Sequence, residues 1–288
     1  LELSVWLPKP RRKTETTANV FAGKKIAKDT IDEDYVGGGG VFDTDIYEAV
    51  IKTAFIGKAQ ASEARNVTLL LDIGGRELRS QTWVSNKSGD VTYVDKKTKE
   101  VKNLPGYNQI NAVALLVAGK NLGDLDTESL VVKLYDFDAK KELPQSVECF
   151  TELHGETIHV AVQRQTVDKT KKNEATGEYD PTGETRDQNE IVKFLAGDKM
   201  VTISEVAEFI KGLGESFDDV VDGGHLLKAI KKVPAENGIY ADKWLTQHKG
   251  KTYDKSTGAK AVGKEFKSAG ADAGSGEGKK KASSLFDD

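Results

Sequence analysis

RELRSQTWVSNKSGDVTYVDKKTKEVKNLPGYNQINAVALLVAGK, residues 76–120, is the stretch whose reading decides the fold. It begins as a strand: within ELRSQTWVS, Leu78, Ser80, Thr82 and Val84 share one parity and Arg79, Gln81 and Trp83 the other, so Trp83 stands on a face with Arg79 and Gln81. Core packing is the alternative place for a tryptophan, and its polar face-mates argue for an exposed platform. A polar excursion from Ser85 to Lys102 follows, with turn signals at Ser88-Gly89 and Lys96 to Lys99 around VTYV. Ile110, Val113, Ala114 and Val117 then recur at helical spacing, and Gly119 supplies the stop.

Working outward, IYEAVIKTAFIGKA and NVTLLLDI precede this stretch as strands, and Gly74-Gly75 makes the tight turn into the third. A long first strand followed by a hairpin is the meander that opens a five-stranded OB barrel, and a helix after the third strand closes one end of such a barrel. VVKLYDFD is expected as the fourth strand and ETIHVAVQRQTV as the fifth. Residues 166–188 are polar and without a hydrophobic period, and read as a mobile excursion before NEIVKFLAG resumes as a strand. Thr202 to Lys211, with Glu205 three residues after Thr202, predicts a helix with a capping box. A further helix is expected between Gly223 and Val233, and Trp244 looks isolated.

The quoted stretch also interleaves aromatic and basic side chains. Trp83, Tyr93 and Tyr107 could cover base faces, each stack being worth about 1–3 kcal/mol, while Arg76, Arg79, Lys87, Lys96, Lys97, Lys99 and Lys102 track phosphates. The parity of Tyr93 leaves its face open, Tyr107 follows Pro105-Gly106 in a turn and is expected to be accessible, and Lys133, Tyr135 and Phe137 share one parity on the next strand. The whole chain has a formal charge of −4, so any basic footprint is local: residues 76–102 hold seven Lys/Arg against four acids, a local excess of three. A solvated hairpin face is the bland reading of those lysines.

The segments TWVSNKSGDVTYVDKKTKE, LPGYNQIN, AGKNL and VKLYDFDAKKE resemble the core of phage-type single-stranded DNA-binding proteins over about residues 44–195, and the closing SSLFDD resembles that family's terminal docking peptide. The resemblance implies an OB fold that coats single-stranded DNA during replication, recombination or repair. It also implies a C-terminal tail that recruits replication or recombination proteins, a host polymerase among them, through Leu285, Phe286, Asp287 and Asp288. Coating needs no active-site residue and no cofactor. This chain departs from the family in its tail, which carries two terminal acids rather than a dense acidic run, and in its first 40 residues, which match nothing placed. A protein-recruitment adaptor or transcription coactivator, with the barrel as scaffold, is the alternative.

At 288 residues, with 38% hydrophobic and 31% charged residues, one core domain with appendages is expected. The expected divisions are an N-terminal arm with a glycine hinge (1–43), the barrel (44–212), a helical extension (213–248) and a disordered partner-docking tail (249–288). Gly37 to Gly40 lack the Lys and Ser/Thr of a phosphate loop. His154, His159, His225 and His248 are scattered, so no metal is expected, and the acids Asp72, Asp136 and Asp138 form no nuclease constellation. The lone Cys149 excludes an internal disulfide, no apolar run reaches the roughly 20 residues of a bilayer span, and a cytoplasmic setting is expected. The chain begins with Leu and its only Met is Met200, so the true start is expected to be missing or processed.

Overall fold

A computed structural model describes residues 40–136, 139, 141–173 and 179–257. From Val41 onward these belong to one compact unit, and its organisation is mainly β. Strand β1 (Asp45–Lys58) pairs antiparallel with β2 (Arg65–Ile73), which turns through Gly74-Gly75 into β3 (Arg76–Trp83). Both glycines have positive φ, 58° and 86°, the geometry that a two-residue hairpin between right-twisted strands requires.

The chain then makes the small separate hairpin of β4 (Thr92–Val94) and β5 (Val101–Asn103), followed by helix α1 (Pro105–Val117). The helix begins three residues before the expected Asn108, because Pro105 occupies the first turn, where its missing N–H costs nothing. Ile110, Val113 and Ala114 of the predicted stripe are fully buried.

The expected fourth strand is placed differently. Among the described residues, strand β6 (Glu128–Asp136) pairs only with β7 (Lys141–Cys149), and β7 reaches β1 at Phe55 and Ile56 alone. The position beside the first half of β1 belongs instead to β8 (Thr157–Lys172), whose partner is β9 (Tyr179–Leu195). Burial separates the two candidates: Ile158, Val160 and Val162 of β8 are core residues, whereas VVKLY of β6 contributes none.

Residues 166–172 and 179–188 of the polar stretch expected as a mobile excursion are instead the outer half of the β8–β9 ribbon. Its described part carries cross-strand polar contacts, Thr166 Oγ1 to Asp187 (2.8 Å), Lys169 to Glu184 (2.9 Å) and Asn173 to Asp180 (2.9 Å). A ribbon covered on neither face needs no hydrophobic alternation, which is why periodicity missed it.

Helices α2 (Ile203–Gly212), α3 (Phe217–Asp222), α4 (Leu226–Lys232) and α5 (Ile239–His248) complete the unit. The α2 capping box forms as predicted, Thr202 Oγ1 accepting from the Glu205 N–H while the Glu205 carboxylate accepts from the Thr202 N–H. Val220, Val221, Leu226, Ile230 and Val233 join the same core as the strands, so residues 213–248 are part of the body rather than an extension from it. Trp244 is not isolated: it is buried with Ala241 against Ala161 and Leu195.

The expected tail boundary at 249 is also shifted. Strand β10 (Thr252–Asp254) runs parallel to β8 at Arg164–Thr166, Gly250 N–H donates to Thr44 O at 2.8 Å, and Lys249 pairs with Asp45 at 2.9 Å. Phe42 and Thr44 are buried, so the body begins inside the expected arm. No helix among the described residues is long and apolar enough to cross a membrane.

Candidate nucleic-acid interface

Strands β3, β2, β1, β8 and β9 are joined edge to edge in that order, and among the described residues β3 pairs only with β2 and β9 only with β8. Each of the four pairings is antiparallel, so β3 and β9 run in the same direction with an open seam between them. A cleft of about 400 Å³ lies along it, lined by Leu78 to Trp83 on one side and Asn189, Glu190 and Ile191 on the other.

Two devices close the ends of the seam. At one end the Asn189 carboxamide clasps the backbone of Phe42, accepting from its N–H and donating to its carbonyl, each at 2.7 Å. The Arg76 guanidinium lies 4.0 Å above the Phe42 ring centroid, a cation–π contact that ties the start of β3 to the same point. At the other end α1 bridges the two strands: Gln109 Nε2 donates to Ile191 O at 3.0 Å, and Gly106 presses on Trp83. A Cβ on Gly106 would lie 2.0 Å from the Trp83 carbonyl oxygen. Only glycine admits this approach.

Trp83 is 48% exposed, and Arg79 and Gln81 are exposed beside it, as the alternation predicts. Arg79 stands in no ion pair among the described residues. Tyr93 is 41% exposed on the β4–β5 hairpin. Tyr107 differs from expectation: it lies in the first turn of α1, half-buried against the core, where burial and then the nearby Asp124 charge push its phenol above its ordinary pKa.

The lysines divide. Lys87, Lys96, Lys97 and Lys99 are exposed and form no ion pair among the described residues. Lys102 bonds Asp95 at 2.9 Å with Glu100 at 3.5 Å and so anchors the turn. Lys102 first, and then the Thr98 and Lys97 amides, hold the Asp95 carboxyl below the usual carboxylate range. Lys133 and Tyr135 are exposed on β6, which pairs with β7 and not with the strands lining the seam. They are therefore not brought together with Trp83. Phe137, Leu285, Phe286, Asp287 and Asp288 lie outside the described residues.

Sequence reasoning missed Phe42, Gln109, Asn189 and Glu190. Burial pulls the Glu190 carboxyl upward, but bonds from Lys255 (2.9 Å) and Gln165 outweigh it and hold the group below its ordinary value. No local pattern marks these four. Gly106 did carry a signal, since a glycine beside Pro105 was legible as a turn but equally fits a close backbone approach.

The chain matches no protein-family model and no curated protein.

Proposed function

We propose that this protein binds and coats single-stranded DNA without strong sequence preference, using an OB-type barrel that is open between its third and fifth strands. The strand order β3-β2-β1-β8-β9, with a helix between the third and fourth of these strands in the chain, supports that reading of the fold. The observation that carries the functional reading is Trp83, half-exposed at the end of an open cleft on a face shared with Arg79 and Gln81. A flat apolar face beside a cation suits an unstacked base and its phosphate, and oligonucleotide-binding OB barrels use this face. Binding is by occupancy, with no reaction and no cofactor. The closing Leu285-Phe286-Asp287-Asp288 recruits replication or recombination proteins, in a cytoplasmic setting.

The test is a titration of the full chain with oligo-dT, mixed single strand and matching duplex across a salt series, read by tryptophan fluorescence. Single-strand-selective, salt-dependent binding that quenches Trp83 is expected. Trp83→Ala should remove the quench and weaken binding by roughly five- to 150-fold, corresponding to about 1–3 kcal/mol for one stacked base. Equal affinity for duplex and single strand would refute the reading.

A further inference from the structure

The β4–β5 hairpin presents a feature that coating of a continuous strand does not require. Val94 and Val101 are directly opposed across it, 58% and 70% exposed, and neither contributes to the core. Isolated exposed valines are ordinary. Two opposed on one face, at the outer end of a ribbon beside three uncommitted lysines, form a small apolar platform with a cationic rim.

That rim is ordered by its own turn. Asp95 Oδ1 accepts from the Lys97 and Thr98 N–H groups at 2.8 and 3.1 Å, its backbone carbonyl accepts from the Lys99 N–H at 2.8 Å, and its Oδ2 takes Lys102. Lys99 is held at φ 61°, a left-handed conformation that a non-glycine residue adopts only where the surroundings fix it. The Asp95 charge is thus spent inside the turn and the exposed Glu100 carboxylate lies 3.5 Å from Lys102, while Lys96, Lys97 and Lys99 are exposed. The roots of the hairpin are equally fixed. Leu104 N–H donates to Val91 O at 2.9 Å, two residues before Gly106 meets the Trp83 carbonyl. The hairpin therefore stands at the Trp83 end of the cleft, continuous with the proposed interface.

We infer that this hairpin is a wedge for the junction between single-stranded and duplex DNA, Val94 and Val101 stacking on the terminal base pair while Lys96, Lys97 and Lys99 hold the flanking phosphates. A terminal base pair is a flat apolar face bordered by phosphates on both sides, which is the complement of an apolar pair with a cationic rim. Nucleic-acid-binding proteins insert apolar side chains against base steps in this manner, offsetting the unstacking with added contacts. The inference rests on the single-strand reading, since the cleft must deliver the strand to the hairpin.

The experiment uses the full chain, a junction carrying 2-aminopurine at its terminal base pair, and the single-stranded arm alone. The parent should bind the junction about fivefold or more tighter than the arm, the gain expected from burying about 40 Å² of valine surface at about 25 cal/mol per Å², and brighten the 2-aminopurine. Val94→Ser combined with Val101→Ser should bind both substrates equally, with arm affinity within about twofold of the parent as expected for surface substitutions. An unchanged urea midpoint would confirm that the variant is folded. A parent that binds the arm but shows no junction preference, or a variant that keeps the preference, overturns the wedge alone. Absence of arm binding and of any Trp83 response overturns the single-strand reading and the wedge with it.

Discussion

Replacing Gly106 with alanine tests the geometry that sets the Trp83 end of the cleft. The added Cβ would lie 2.0 Å from the Trp83 carbonyl oxygen, fully 1.0 Å inside the 3.0 Å limit that real Cβ atoms essentially never cross, and 3.0 Å from Thr82 Cγ2. The first obstacle is backbone, so no rotamer change relieves it, and either α1 or the end of β3 must move. Overpacking of this kind costs about 1–3 kcal/mol. Because Gly106 has no positive φ and lies in a helix, alanine recovers roughly 0.5–1 kcal/mol of backbone entropy, leaving a net loss centred on about 1 kcal/mol. Urea unfolding of the full chain should show a lower midpoint at unchanged slope, since the surface exposed on unfolding is the same. A Gly106→Ala protein as stable as its parent would refute the argument, because the helix and strand would then not be in forced contact. The same variant should weaken single-strand binding, as the displacement falls on the residue that carries the proposed stack.

Replacing Lys96, Lys97 and Lys99 with glutamine should flatten the log-log salt dependence of junction binding by about 2, at roughly 0.7–0.9 per phosphate contact; an unchanged slope on the junction would make them solvated bystanders. Thr202→Ala removes the α2 cap and should cost about 1 kcal/mol in urea unfolding, with serine restoring most of it. Trp244→Ala, at the buried seat of α5, should cost about 3–5 kcal/mol by the same measurement. Arg164 bonds the Asp187 carboxylate at 2.7 Å and, with Thr166, holds its pKa below the ordinary value. A carboxyl depressed in the folded state contributes stability above its unfolded pKa of about 3.9 and loses it as pH falls through the lower folded value. Urea midpoints taken between pH 6 and pH 3 should therefore fall less steeply for Arg164→Gln than for the parent.

Local patterns carried much of the fold. The Gly74-Gly75 hairpin, the stripe of α1, the Thr202–Glu205 capping box and the outward face of Trp83 all depend on residues within one turn or one strand, and each was legible. What failed was partner choice. VVKLY of β6 and IHVAV of β8 both read as strands, and only pairing with Asp45–Val50 of β1, about 110 residues away, separates them. The strand character of 166–172 and 179–188 was hidden because these side chains answer to each other rather than to a core. Trp244 was recoverable, since Ala241, Trp244 and Leu245 stand at i, i+3 and i+4, the spacing of one helix face. The far wall of the cleft was not, because Asn189 and Gln109 gain their roles from backbone groups distant in sequence.

The segment that carries β10 has a consequence for how the molecule is made. Its parallel partner on β8 precedes it by 88 residues, from Arg164 to Thr252. During synthesis the Arg164–Thr166 edge, the Thr44 carbonyl and the Glu190 carboxylate wait for Gly250 to Lys255 to leave the ribosome before these contacts can form. A chain that has emerged only as far as His248 holds every helix of the described residues yet keeps an unpaired strand edge, the kind of surface that recruits chaperones or neighbouring chains. Completion of the body is thus timed by a few residues near the end of the described chain, and a ribosome stalled shortly before them would display an aggregation-competent intermediate.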